Sequence, residues 1–124
     1  MRFSPVWYLV GSVLLAAVVV GSLVPIPKVE SLRYDKVIHF LVYFSLMGWF
    51  GQLGKHRFWL AVAFVSLGIV LEYLQGQTRY RSFEWLDVAA NSAGIAIAWL
   101  GLMTPLGRTI RWLDSHLQAW LGRQ

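Results

Sequence analysis

Residues 5–24 read PVWYLVGSVLLAAVVVGSLV, twenty positions without a charge. At 1.5 Å of rise per residue, such a helix is about 30 Å long, the thickness of a bilayer's hydrocarbon core. The run therefore predicts a transmembrane helix. Arg2 ahead of it and the small residues Ala16, Ala17, Gly21 and Ser22 within it also suit a signal peptide, yet the apolar part of a signal peptide is only about 7–15 residues long. An uncleaved helix is the better reading. Pro25 and Pro27 end it, since proline lacks an amide donor and biases the residue before it away from helical angles.

Working outward, three more apolar blocks follow at 37–53, 58–74 and 86–103, each close to the short end of what can span. The expected fold is all-α, an integral membrane bundle of four transmembrane helices forming one domain over residues 1–124. Gly54-Lys55-His56-Arg57 is a short link, so the second and third helices should be antiparallel neighbours. After Thr104 and Pro105, a cap and a first-turn proline, the pattern changes over residues 105–121. Leu106, Ile110, Leu113, Leu117 and Leu121 recur at helical spacing, while Arg108, Arg111, Asp114, Ser115 and Gln118 fall largely on the other side. That predicts an amphipathic helix lying in the interface, with Trp112 and Trp120 suited to the same depth.

Composition agrees. Of 124 residues, 57% are hydrophobic and 14% charged, where a soluble domain carries about 25% charged residues. Mean hydropathy is +0.56. Disorder, a two-domain enzyme and a rod are thereby excluded. The net charge of +5 would suggest nucleic acid in a soluble chain, but here the basic residues flank apolar blocks, where topology and anionic lipid headgroups require them. No nucleic-acid partner is expected; membrane lipids are. The absence of cysteine removes disulfides, thiolate metal sites and a thiol nucleophile. With both termini inside, the inner side holds Arg2, Lys55, Arg57, Arg108, Arg111 and Arg123, and the outer side Lys28, Arg33, Lys36, Arg79 and Arg81. Six against five decides little by itself; termini in the cytoplasm are expected because some of the outer-side basic residues are taken up by a polar site rather than free to set topology.

The functional signal lies in where polar residues fall. Asp35, Lys36 and His39 open the second helix, Glu72 and Gln75 close the third, and Asp87 and Asn91 open the fourth. Because successive spans alternate direction, these positions share one membrane face whichever way the chain is inserted. Residues three or four apart share a helix face, so Asp35, His39 and Tyr43 align, as do Glu84, Asp87, Asn91 and Gly94. His39 would lie about 3 Å and Asn91 about 7 Å inside the hydrocarbon boundary, where charged groups should turn inward and pair. Two readings stand. In one, His39 is a general acid or base beside Asp87 and Glu72, while Lys36 and Arg81 hold an anion and Asp35, Gln75 and Asn91 complete the ligand contacts. In the other, the same residues form a structural network with no ligand, in a small scaffold or partner-binding module. No metal or cofactor is expected, since there is no HExxH, no second histidine in the cluster and no thiol. Whether the chain is an enzyme stays open, as do its protein partners.

Asp35-Lys36-x-x-His39-Phe40, Glu72-x-x-Gln75, Arg81 and Asp87-x-x-x-Asn91-x-x-Gly94, in this order, resemble the VanZ-like family of small bacterial membrane proteins. The resemblance runs from about Tyr34 to about Leu100, leaving the first helix and the tail uncovered. One departure is Ala98, where family members often carry a second glycine. The family is named for a protein associated with resistance to the glycopeptide teicoplanin. The resemblance implies a multi-pass protein of the bacterial cytoplasmic membrane and places the recurrent residues on the polar cluster. It thereby favours a ligand site, outward-facing, for a lipid-linked or cell-envelope anionic group.

Overall fold

The computed structural model describes residues 1–24, 35–77 and 82–124, the side chain of Asp35 excepted. The described residues form α1 (Ser4–Leu23), α2 (Asp35–Leu53), α3 (Arg57–Gly76), α4 (Trp85–Leu102) and α5 (Thr109–Leu121), with a 3₁₀ turn at Pro105–Arg108 ahead of α5. No strand occurs among them.

Sequence accounts for the ends. Pro5 lies in the first turn of α1, where a missing amide hydrogen is harmless. The hydroxyl of Thr104 accepts from the Leu106 amide at 3.3 Å and caps the 3₁₀ turn. The amphipathic segment thus opens as a tight turn, and its α-helix begins only at Thr109.

Among the described residues, α1, α3 and α4 are long and apolar enough to cross a membrane. Four spans were expected from the sequence. α2 is a 19-residue helix that falls outside that set, because Asp35, Lys36 and His39 at one end and Gln52 at the other dilute its apolar run. The apolar outer surface is what a bilayer requires: Leu9, Val13 and Val20 of α1 are 64%, 63% and 62% exposed. In water a surface of this kind would associate.

The core is built from α2, α3 and α4 around Tyr43, Leu46, Met47, Phe64, Ile95, Ala98 and Leu102. α2 and α4 make the closest pair. A Cβ on Gly94 would lie 2.3 Å from the Phe40 carbonyl oxygen, so only glycine allows this approach. Ala98, one turn further on, is buried in the same core, where its methyl is accommodated. α1 is fastened by aromatic contacts. Trp7 and Trp49 pack edge to face at 6.2 Å, and the Trp49 indole donates to the Trp7 carbonyl at 2.9 Å.

Candidate functional site

The cluster sits where α2 begins, α3 ends and α4 begins. Lys36 is in the first turn of α2, and its ammonium donates to carboxylate oxygens of both Glu84 and Asp87. Glu84, extended and immediately before α4, has a second role: its amide donates to Glu72 Oε1 at 3.0 Å. The acid at the end of α3 is thereby bonded to the start of α4.

His39, one turn into α2, reaches two residues of α4. Its Nδ1 is 2.9 Å from Asn91 Oδ1, and its Nε2 is 3.7 Å from Asp87 Oδ2. The ring is 13% exposed, while Asp87, Asn91, Glu72 and Gln75 are buried, the last two on α3. Gln75 donates through Nε2 to the Ser22 carbonyl at 2.8 Å, which draws the end of α1 to the same place. Buried polar groups of this kind need such partners, since an unsatisfied one costs about 1–3 kcal/mol.

Of the residues singled out from sequence, Lys36, Asp87, His39 and Asn91 are linked in that order by successive contacts, Glu72 joins them through Glu84, and Gln75 faces α1. Arg81 and the side chain of Asp35 lie outside the described residues. Glu84 is the residue that sequence reasoning undervalued. It stood in the α4 stripe three positions before Asp87, but a side chain ahead of a helix gave no sign that it would share Lys36 with that aspartate. One atom from each of His39, Glu72 and Asp87 lies within 4.8 Å of the others, a nitrogen and two oxygens that could be turned to a cation. The Lys36 ammonium already supplies positive charge to Asp87 at that point.

A histidine beside a carboxylate and an amide can exchange protons and form hydrogen bonds at this end of the bundle. With the Asn91 amide oxygen as acceptor, Nδ1 of His39 carries the ring hydrogen and Nε2 presents its lone pair toward Asp87. A proton taken up at Nε2 would face that carboxylate.

Together these features define a small helical membrane protein with a histidine–carboxylate–amide cluster at one end of its bundle. The family model described as VanZ/LLP1 matches residues 5–108, and the chain belongs to that family. No curated protein and no solved structure matches it.

Proposed function

We propose that the cluster is an acid–base site at the outer membrane–water interface that binds or acts on a lipid-linked or cell-envelope anionic group. The observation that carries this reading is the seat of His39, whose ring is oriented by Asn91 on one side and backed by Asp87 on the other. Histidines held in this way are positioned to accept and return protons.

In this reading His39 is the proton carrier, Asp87 and Glu72 orient it, and Gln75, Asn91 and Asp35 complete the polar contacts. Lys36 is about one-third exposed and meets the anion from its open side. Two carboxylates, Glu84 and Asp87, already share that one ammonium, so a second cation is needed for an anion. The proposal assigns that part to Arg81, in the segment joining α3 to α4. The proposal extends to four membrane spans, a bacterial cytoplasmic membrane, both termini inside and a contribution to glycopeptide tolerance through the bound envelope group.

The rival is a scaffold whose polar cluster only fixes helix order. It is favoured by the bonds from Glu84 to Glu72 and from Gln75 to Ser22, which join helix ends directly. Native mass spectrometry of the detergent-purified protein, with a thermal melt beside it, separates the two. The ligand reading expects a co-purified phosphorylated lipid that Arg81→Gln removes at unchanged melting temperature. It also expects His39→Ala to keep that lipid while losing teicoplanin tolerance in cells. Absence of an Arg81-dependent adduct, with a lower melting temperature in the variants, establishes the scaffold instead.

A further inference from the structure

The opposite end of the bundle holds a cavity of about 530 Å³, between the end of α2, the start of α3, the end of α4 and the 3₁₀ turn. Lys55, Arg57, Arg108 and Arg111 line it, and no carboxylate does. Among the described residues none of these four has a carboxylate within ion-pair distance. Four cations from two stretches of sequence, 55–57 and 108–111, therefore face one concavity without internal neutralisation. Such convergence raises the potential inside and favours an anion.

One of the four is fixed in place. Arg57 donates through Nε to the Gly51 carbonyl at 3.1 Å and through an Nη to the Leu102 carbonyl at 3.4 Å. Those carbonyls belong to the last turns of α2 and α4, the negative ends of two helix dipoles, which hold the guanidinium between them. Two of its five donors are so engaged, leaving others for a ligand. Lys55, Arg108 and Arg111 are exposed at the rim. The remaining lining combines apolar Leu53, Leu102, Met103 and Pro105 with polar Gln52 and Thr104. Met103 is 68% exposed and Leu106 beside it 73%, so apolar surface continues outward from the cationic floor.

We infer that this cavity is a binding site for a phosphate group, and that its usual source is the headgroup of an anionic phospholipid. Helix ends mark the headgroup level, guanidinium groups match phosphate oxygens in pairs, and the adjoining apolar surface suits acyl chains. The site is independent of the His39 cluster, at the other end of the helices.

The test uses the full-length protein in a neutral detergent. Binding of dioctanoyl phosphatidylglycerol, dioctanoyl phosphatidylcholine and glycerol 3-phosphate is followed by native mass spectrometry and by thermal shift. The expected result is a preference of roughly tenfold or more for phosphatidylglycerol over phosphatidylcholine. That preference should disappear in Lys55→Gln/Arg108→Gln/Arg111→Gln. Arg2→Gln/Arg123→Gln, which removes charge at the same end but outside the cavity, should keep it. Each rim residue is exposed, so the single variants Lys55→Gln and Arg108→Gln give partial losses without a folding defect. Protection by glycerol 3-phosphate equal to that by the lipid identifies a soluble phosphate ester as the source; protection by the lipid alone identifies the headgroup. Equal binding of the two lipids by the wild type, or equal losses in cavity and control variants, overturns the inference.

Discussion

The indole Nε1 of Trp7 donates to Asp114 Oδ1 at 2.7 Å, joining the first helix to the last across 107 positions of sequence. The same carboxylate accepts from the Phe3 amide at 3.0 Å, the Arg2 amide at 3.2 Å and the Gln118 side chain. Asp114 is 1% exposed, although its place on the amphipathic helix suggested a solvated face. The amides of Arg2 and Phe3 lie at the start of α1, where donors have no partner within the helix, so Asp114 acts as a cap supplied from a distant segment.

Burial alone would raise the Asp114 carboxyl, but the donors of Trp7, Gln118, Phe3 and Arg2 outweigh it and hold it below the usual carboxylate range. A folded-state value below the unfolded one means that the group stabilises the fold above the ordinary value of about 3.9. That stabilisation is lost as pH falls from there through the folded-state value. Asp114→Asn should therefore melt lower than wild type at pH 7, and the gap should close on acidification below about pH 4. Thermal melts of both proteins across pH test this; a gap that does not change with pH would refute it.

Gly94 sets the distance between α2 and α4. Gly94→Ala places a methyl against the Phe40 backbone and should cost about 1–3 kcal/mol or more, because backbone must move to make room. Gly101→Ala, whose added Cβ meets nothing within 4 Å, should stay within about 0.5 kcal/mol of wild type. Denaturation of the two variants side by side provides the measurement.

Lys36 is shared by two acids, one of them buried. Lys36→Met should destabilise by about 1–3 kcal/mol, chiefly because Asp87, with a side chain only 4% exposed, loses its ammonium. Adding Asp87→Asn removes the stranded charge, so the double variant should lose less than the sum of the single losses, with a coupling of about 1 kcal/mol. Strict additivity in the cycle would show that the pair is not coupled.

Gln52 holds α5 to the bundle. Its Oε1 accepts from the Ile110 amide at 2.8 Å, and its Nε2 donates to the Gly48 carbonyl at 3.0 Å. Ile110 is 1% exposed, so Gln52→Leu strands a buried donor at an expected cost of about 1–3 kcal/mol. Hydrogen exchange should show faster exchange confined to the first turns of α5.

The all-helical class and the C-terminal helix were legible in the sequence because they rest on run length and on a 3.6-residue period, both local properties. That Lys36, His39, Glu72, Asp87 and Asn91 would gather at one end of the bundle was also legible, since alternating helix direction brings a start, an end and a start together. Pairing within that face was not. Lys36 has several acids within reach of its flexible stem, and the choice of Glu84 and Asp87 depends on how far α2 and α4 approach, which Gly94 decides. Asp114 was read wrongly for a related reason. Periodicity places a carboxylate on the polar side of a helix, but it cannot report that backbone donors from the start of α1 wait on that side.

The bond between Trp7 and Asp114 also constrains the order of events during synthesis. Trp7 leaves the ribosome long before Asp114 exists, so α1 enters the bilayer with its first-turn amides facing headgroups or water. Only when residue 114 has been made can those donors find their carboxylate. An earlier-made and a later-made segment thus complete one another, and a nascent chain stalled before Asp114 would leave the Arg2 and Phe3 amides without this acceptor.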